Sequence, residues 1–338
     1  MMITKAEVMM MNNLMLHPGL ILMAVGVLAM LPPNCVRKFV LALGPLAAVG
    51  AALQLEIGTE VVVPFVNDLQ LHLMYVDKLS WIFTFIFSVL ALVSGIYAAH
   101  NENRMEALCC MLYAGGAISV TLAKDWLSFI FFWESLAVSS LFLVWCNPGA
   151  ESRRAGFRYM LVHMLGGGVL VQRFGDLVKG RRTNEKRLLK SFTAYTNDSI
   201  IMESLTGKTN TLAYWFVLVG MFVNVAMPPV NAWLVDAYAN STLTGGVFMS
   251  CLTTKVAVYA LIREFAGTEL LMWGGVLMAL YGACYAIMEN DMRRLLAHHI
   301  ISQTGFMVAG AGIGTGMALN GATAHAFCDI LFKSLLFM

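Results

Sequence analysis

Long apolar runs separated by short polar stretches occupy almost the whole chain. The hydrocarbon core of a bilayer is about 30 Å thick, so a helix that crosses it needs roughly 20 predominantly apolar residues. By this criterion the sequence predicts eleven transmembrane helices, near residues 20–32, 38–56, 79–99, 106–123, 126–146, 155–172, 211–228, 243–263, 269–288, 294–313 and 317–338. The pattern is typical of an all-α polytopic membrane protein.

Composition excludes an ordinary soluble fold. Of the 338 residues, 59% are hydrophobic and only 12% are charged, and the mean hydropathy is +0.73. That leaves too little polar surface to cover a soluble core. The seven cysteines lie mostly inside apolar runs without metal-ligand spacing, and we interpret them as packing residues. Because the sequence has no glycine-rich phosphate loop, CxxC pair, haem-ligand pair or nucleophile triad, it predicts neither a cofactor nor a metal.

Basic residues concentrate in alternate loops, which is the usual signal of membrane orientation. The more basic set of loops contains Arg37, Lys38, Arg104, Arg153, Arg154, Arg158, Arg293 and Arg294. The short loops of the opposite set contain only Lys78, Lys124 and Arg263. We therefore expect the first set to be cytoplasmic and the N-terminus to lie on the outer side of a bacterial inner membrane.

One polar segment, residues 173–210, disturbs this pattern. It carries eight Lys or Arg residues against four acids, and it falls on the predicted outer side. Either the preceding glycine-rich helix crosses the membrane and this basic loop violates the bias, or the helix re-enters and reverses everything downstream. Crossing is favoured, because reversal would place Arg293 and Arg294 outside. We expect the segment to lie on lipid headgroups rather than to bind nucleic acid.

Two ionisable residues stand deep inside predicted spans. Glu134 interrupts LSFIFFWESLAVSSLFLVW, and Lys255 interrupts CLTTKVAVYALI. A charged side chain at mid-bilayer costs about 2.5–3.5 kcal/mol on insertion scales, so each marks a functional site by default. Glu134 also requires a partner, which the local sequence does not supply.

Further ionisable residues interrupt other spans. They are His163, His298, His299, His325, Asp329 and Lys333. The last three recur at intervals of four, which places them on one helical face with Asp329 between its neighbours. Lys333 and His298 also fit side chains that extend to the interface, and His163 also fits a packed, hydrogen-bonded histidine.

Together these residues suggest a hydrophilic axis through the membrane. A buried lysine can release and regain a proton near neutral pH, and histidine titrates in that range without help. A row of such groups, linked by water, can pass protons without a covalent intermediate. The chemistry therefore favours proton conduction.

Four segments resemble the proton-conducting antiporter family. They are KDWLSFIFFWESLA, MPPVNAWLVDAYANSTLTGGVFMSCLTTKVAVYALIREF, ENDMRRLLAHHIISQTGFMVAG and AHAFCDILFKSLLFM. That family comprises the D component of Mrp-type cation/proton antiporters and the antiporter-like subunits of complex I and related hydrogenases. The resemblance extends from about residue 75 to the end and is closest to the Mrp-type D component.

The resemblance implies an architecture of fourteen helices with two inverted five-helix repeats, each containing a broken helix. On that basis, residues 1–105 form N-terminal helices and residues 106–288 form the first repeat, interrupted by loop 173–210. Residues 289–338 begin a second repeat that is truncated. The remaining helices are expected from a separate chain, unless the sequence is a fragment.

The resemblance also implies roles for individual residues. Glu134 matches the family's glutamate, and Lys255 matches its buried lysine or histidine. Lys333 matches the lysine that links the two repeats, and His325 matches the first of two histidines before it. His298 and His299 are assigned to the same relay from their place in an apolar run, not from the resemblance.

Three positions depart from the family pattern. The usual WLPDA motif reads WLVDA here and retains its acid, Asp236. Asn224 stands where a lysine is expected opposite the glutamate, and Asp329 replaces the second histidine. The lysine that would pair with Glu134 is therefore absent from its expected position, unless Lys255 or Lys124 replaces it.

The predicted function is a proton-conducting membrane subunit of a multisubunit cation/proton antiporter, with Na⁺ as the expected coupling ion. Its expected partners are other membrane subunits in the bilayer. One alternative is a proton-pumping subunit of a redox-driven complex of the complex I or membrane-bound hydrogenase type. A second alternative is a non-conducting structural subunit.

Overall fold

The computed structural model describes residues 16–31, 33–65, 70–179, 202, 204–206 and 212–338. These residues are predominantly helical, as predicted. In chain order the helices are α1 (Pro18–Leu28), α2 (Asn34–Gln54), α3 (Lys78–Ala98), α4 (Arg104–Leu122), α5 (Trp126–Trp145), α6 (Ala150–Lys179), α7 (Leu212–Asn224), α8 (Ala232–Asn240), α9 (Leu243–Cys251), α10 (Thr253–Glu264), α11 (Glu269–Met288), α12 (Met292–Ile313) and α13 (Gly316–Phe337).

Within the described ranges, six helices are long and apolar enough to cross a membrane. They are α2, α3, α4, α5, the combined segment Leu243–Glu264 and α11. Helices α1 and α7 are apolar but shorter. The chain is therefore an integral membrane protein, while the total of eleven spans remains a prediction.

A small β-hairpin lies between α2 and α3, so the description all-α is wrong in this detail. Strands β1 (Glu60–Pro64) and β2 (Gln70–Tyr75) pair antiparallel, with Val61 opposite Met74. Both of these side chains are buried. A search for runs of about 20 apolar residues does not detect strands this short.

Two further differences concern helix boundaries. The span predicted over 243–263 is divided at Leu252 into α9 and α10. The nine-residue α8, which contains the WLVDA motif, was not predicted because it is too short to cross a bilayer.

The basic segment 173–210 begins as helix rather than as loop. Helix α6 continues to Lys179, so the backbone of residues 173–179 is helical. Apart from residues 202 and 204–206, the rest of this segment lies outside the described residues. The choice between a crossing and a re-entrant helix is therefore untested.

Several of the basic loops predicted to be cytoplasmic share one end of the molecule. The guanidinium group of buried Arg37 donates hydrogen bonds of 2.9 Å to the carbonyl oxygens of Asn101 and Glu102. At the start of α12, Arg293 donates to the carbonyl of Ser241 at 2.9 Å. The Asn101 side chain in turn donates to Thr244 at 3.4 Å. These bonds join the ends of α2, α4, α9 and α12.

Helices α11 and α12 pack with their backbones in close contact. A Cβ atom added to Gly282 would lie 2.4 Å from the backbone nitrogen of Ser302, and one added to Gly275 would lie 2.3 Å from that of Ala309. The Ser302 hydroxyl donates to the carbonyl of Ala279 at 3.0 Å across the same interface. Small residues and interhelical hydrogen bonds of this kind are what hold membrane helices together.

The Gly282→Ala substitution should destabilise the protein, because the added methyl group has no space between α11 and α12. Overpacking of this kind costs about 1–3 kcal/mol. Gly321→Ala is the matched control, since nothing lies within 4 Å of a Cβ at this helical position. Thermal unfolding in detergent should show a lower melting temperature for Gly282→Ala and no decrease for Gly321→Ala. Equal melting temperatures would contradict the close approach of the two helices.

Candidate functional site

The break between α9 and α10 is the centre of the candidate site. The most apolar 18-residue stretch of Leu243–Glu264 is completely buried, whereas only 28% of the corresponding stretch of α11 is buried. The span Leu243–Glu264 therefore lies inside the bundle. Irregular backbone at membrane depth is tolerated only where protein or water surrounds it. Here Tyr113 Oη accepts a hydrogen bond from the backbone N–H of Thr253 at 3.1 Å and also bonds to the Thr253 hydroxyl.

Lys255 occupies the first turn after the break. Its Nζ atom lies 2.6 Å from Oδ2 of Asp329 on α13, and both side chains are completely buried. Nζ also donates to the carbonyl of Ser250 at 3.1 Å, a group that the break leaves available. Oδ1 of Asp329 has no hydrogen-bond partner among the described residues. The site is therefore a buried ion pair with unused acceptor capacity.

A second cationic group lies one turn further along α13. Lys333 is fully buried and forms a hydrogen bond with Nδ1 of the half-buried His299 on α12. Its burial excludes the interpretation that Lys333 extends to the interface. Asp329 thus forms its ion pair with Lys255 on another helix, rather than with Lys333 on its own face.

The two remaining histidines of this region lie apart from the ion pair. His298 stacks on Tyr285 with ring centroids 5.5 Å apart, and its Nε2 lies 3.4 Å from Glu289. His325 is half-buried, and its Nε2 has no hydrogen-bond partner among the described residues. The structure therefore joins Lys255, Asp329, Lys333 and His299 more closely than it joins the other predicted relay residues.

Glu134 packs against the glycine-rich part of α6. Its Oε1 atom would lie only 1.9 Å from a Cβ added to Gly167, so a glycine is needed there. The half-buried carboxylate forms no ion pair in the described part of the chain. Lys255 pairs with Asp329, and Lys124 pairs with Glu60 at 3.0 Å, so neither replaces the missing lysine.

Asn224, the last residue of α7, packs against Gly166 of α6, the residue before Gly167. A Cβ on Gly166 would come within 3.2 Å of its Nδ2, which donates to the carbonyl of Gly220 at 2.8 Å. The Asn224 side chain is almost completely buried, and its Oδ1 has no hydrogen-bond partner in the described structure. The amide is therefore bonded to its own helix and does not act as the partner of Glu134.

His163 is packed among aromatic rings. Its ring stacks on Tyr159 at a centroid distance of 3.9 Å and meets the edge of Trp233 at 4.5 Å. Nδ1 donates to the Tyr159 carbonyl at 3.1 Å, whereas Nε2 lacks a partner among the described residues. The position satisfies the packed, hydrogen-bonded interpretation and leaves one ring nitrogen available.

Asp236 lies at the basic end of the molecule rather than near the ion pair. Its carboxylate is 2.8 Å from Arg158 and 3.7 Å from Arg294. These contacts attach α8 to the starts of α6 and α12. The geometry indicates that Asp236 anchors helices.

A polar cluster that the sequence did not reveal lies at the opposite end. Oε1 of Glu60 on β1 is 2.5 Å from His72 and 3.0 Å from Lys124. The His72 backbone N–H donates to Asp125, the residue that caps α5. Burial alone would raise the pKa of Glu60, but hydrogen bonds from His72 and Lys124 outweigh it, so this pKa is below its ordinary value. The cluster holds the hairpin over the start of α5.

The described residues include no group of His, Cys, Asp and Glu side chains arranged to bind a metal. What the arrangement offers instead is proton chemistry. Two buried lysines, a carboxylate and a histidine lie within two adjacent turns of α13 and the helices that contact it.

Residues 123–338 match a family model described as "NADH:quinone oxidoreductase/Mrp antiporter, TM". NADH-quinone oxidoreductase subunit M of Pseudomonas aeruginosa is 28% identical over 249 residues, which are 66% of this chain and 46% of that protein. A putative antiporter subunit, mnhD2, of Staphylococcus epidermidis is 26% identical over 277 residues, or 77% of this chain and 53% of that protein. The chain spans about half the length of the curated relatives it matches.

Solved structures show the same fold. A chain of the Mrp complex from Dietzia sp. superposes with a TM-score of 0.77 at 23% identity, covering 95% of this chain and 36% of that one. A chain of respiratory complex I from Thermus thermophilus with bound NADH gives 0.75 at 22% identity, covering 95% and 69%. The expected antiporter-like fold is confirmed.

The Asp329→Asn substitution should destabilise the protein strongly, because it leaves the Lys255 ammonium buried without its counter-ion. Breaking a buried pair in this way costs about 3–5 kcal/mol, whereas replacing both members with apolar residues is often neutral. Unfolding measurements should therefore show recovery in the Lys255→Met/Asp329→Leu double variant. As a comparison, Asp236→Asn, whose partner Arg158 is 60% exposed, should cost only about 0–1 kcal/mol. Equal losses for the two asparagine variants would contradict the buried pair.

Proposed function

Because the chain belongs to the NADH:quinone oxidoreductase/Mrp antiporter family, we propose that it is a proton-conducting subunit of a multisubunit cation/proton antiporter. The observation that carries this proposal is the ion pair between Lys255 and Asp329. It is completely buried, it lies beside a helix break inside the bundle, and both of its members are ionisable groups. A scaffold subunit has no need for such a pair, which is costly to bury.

The pair has two states of low cost within the membrane. With the proton on Lys255, both groups are charged and attract each other at 2.6 Å. Transfer of that proton to Asp329 leaves a neutral amine and a neutral carboxylic acid, which need no counter-ions. Burial disfavours isolated charge, and transfer of the proton between the two groups removes both charges at once. The neutral Lys255 is then ready to receive another proton.

The proton on Asp329 has a next acceptor on the same helix. Lys333 lies one turn away and is bonded to His299, which is half-buried on α12. When Lys333 is neutral it accepts the proton, and His299 then receives a proton through the hydrogen bond between them. This route leads from the centre of the bundle toward the end where α12 begins. Glu134 is proposed as a separate carboxylate for proton uptake, since it is only half-buried and lacks a counter-ion among the described residues.

The topology that accompanies this function is also a proposal. We place eleven spans in the chain, with the first repeat over residues 106–288 and the start of a second over 289–338. The hydrogen bonds of Arg37 and Arg293 support a common end for the basic loops. That end would be cytoplasmic, with the N-terminus on the outer side of a bacterial inner membrane. The expected partners are further membrane subunits, and Na⁺ is the expected coupling ion.

A second candidate is a proton-pumping subunit of a redox-driven complex. It is supported by the similarity to subunit M of an NADH-quinone oxidoreductase and by the shared fold of a complex I chain. The buried relay would be the same, but a redox module would drive it instead of a cation gradient. Purification of the chain with its native partners distinguishes the two, because only the redox complex would contain flavin or iron–sulfur centres.

Replacing Lys255 should abolish proton conduction. Lys255→Ala removes the group that exchanges its proton with Asp329, and Lys255→Arg retains a charge that does not deprotonate in proteins. Proton translocation by the assembled complex in proteoliposomes should fall by at least about 100-fold in both variants. Lys78→Ala, at an exposed position at the start of α3, should translocate at the parental rate. Full activity of both Lys255 variants would exclude the relay and favour a structural subunit.

A further inference from the structure

Three arginines surround an open pocket at the start of α6. The pocket has a volume of about 720 Å³ and is lined, among the described residues, by Ala150, Arg153, Arg154, Phe157 and Arg158. We propose that it binds the head group of an acidic phospholipid, whose acyl chain lies along the exposed apolar face of α6. This inference is independent of the proposed function, because it concerns the contact of the chain with the bilayer and not the conduction of protons.

Two of the three arginines carry charges that no described residue neutralises. Arg158 is 2.8 Å from Asp236, whereas Arg153 and Arg154 form no ion pair or side-chain hydrogen bond within the described part of the chain. Both are exposed, as is Glu151 between them and the start of the helix. Arginine binds phosphate through parallel N–H bonds from its planar guanidinium group. The pocket therefore offers the charge and the donors that a phosphate group requires.

Further along α6, the same side of the helix becomes apolar. Phe157, Leu161, Met164 and Leu165 are all exposed. They are spaced three or four residues apart, so they form one stripe that continues from Arg154. In a membrane protein such a face contacts lipid chains, which are as apolar as leucine. The helix thus changes from basic to apolar along its length, as an acidic phospholipid changes from its head group to its acyl chain.

The end of the neighbouring helix indicates the depth of the pocket in the membrane. Trp145 is the last residue of α5, and a Cβ atom added to Gly156 of α6 would lie 2.3 Å from its Nε1 atom. The indole is partly exposed, as is Phe142 one turn earlier. Tryptophan is enriched at the membrane–water interface, where its amphipathic ring lies among the head groups. Because Gly156 is within one turn of the pocket residues, the arginines lie at head-group depth.

The charge of the pocket also selects among phospholipids. Every phospholipid carries a phosphate group, but a zwitterionic head group adds an ammonium group that the arginines repel. An acidic head group adds no cation. Basic pockets between the ends of membrane helices are known to bind acidic head groups, and each basic residue near the surface strengthens this binding by about fivefold. The expected ligand is therefore an acidic phospholipid rather than phosphatidylcholine.

The test uses Trp145 as a reporter of the lipid beside the pocket. The assembled complex is reconstituted into phosphatidylcholine bilayers that contain a fixed minor fraction of a lipid with brominated acyl chains, either phosphatidylglycerol or phosphatidylcholine. Bromine quenches tryptophan fluorescence at short range. Because the chain has seven tryptophans, the quenching that is lost in Trp145→Phe identifies the signal of this site. We expect brominated phosphatidylglycerol to quench Trp145 more strongly than brominated phosphatidylcholine at the same fraction.

The Arg153→Gln/Arg154→Gln variant removes the two unpaired charges. Its preference for phosphatidylglycerol over phosphatidylcholine should fall by about fivefold or more. The matched control is Lys38→Gln/Arg104→Gln, which removes two exposed basic residues from the same end of the molecule but outside the pocket. This control should retain the parental preference.

Three results would overturn the proposal. Equal quenching of Trp145 by the two brominated lipids would show that the pocket does not select acidic head groups. An equal loss of preference in the two double variants would show that only the general surface charge attracts the lipid. If neither lipid quenches Trp145 in the assembled complex, another subunit covers this face of α6, and the arginines form a protein contact instead.

Discussion

The cost of burying charge in the membrane interior is the constraint on which the rest of this structure depends. Two ions taken out of water lose several kcal/mol each unless their geometry and their hydrogen bonds compensate. Lys255 and Asp329 meet this condition at 2.6 Å, with the Ser250 carbonyl as a further acceptor. The pair thus holds α10 against α13, and in the proposed function it is also the site at which a proton moves between the two groups.

The helix break and the ion pair require each other. An unbroken span from Leu243 to Glu264 would bond its carbonyl and N–H groups internally, leaving no free carbonyl for the lysine. Interrupting the helix at Leu252 frees these groups. Lys255 donates to the freed carbonyl of Ser250, and Tyr113 accepts from the freed N–H of Thr253. The arrangement is stable because the span is enclosed by other helices. Half-helices with free ends near the middle of the membrane are a recurrent means of binding ions in transport proteins.

The sequence predicted the parts of this site better than their connections. Glu134, Lys255 and Lys333 are conspicuous because each is a charge in an apolar run, and most helices were predicted because their length matches the bilayer. Pairing is different, since Lys255 and Asp329 are far apart in the chain and no local pattern links them. The spacing along α13 favoured contacts of Asp329 with His325 and Lys333 on the same helix. In the structure, Asp329 instead pairs with Lys255 of α10. The β-hairpin and α8 were not predicted, because they are shorter than the runs of about 20 apolar residues that indicate membrane spans.

The bond between Tyr113 and Thr253 at the helix break could not be predicted for a related reason. Tyrosine, serine and threonine are common in membrane helices, where serine and threonine often bond to their own backbone, and two such residues on different helices form no sequence motif. The position of Glu134 depends similarly on a glycine in another helix, which makes room for the carboxylate.

The central claim is that Lys255 changes its protonation state during transport. It is tested most directly by nitrogen-15 solid-state NMR of the assembled complex in membranes, with the Lys255 Nζ signal assigned by its loss in Lys255→Arg. The account predicts an ammonium signal at rest and a neutral-amine population that appears when a proton gradient is imposed. A single ammonium signal, unchanged by the gradient while protons are being translocated, would contradict it.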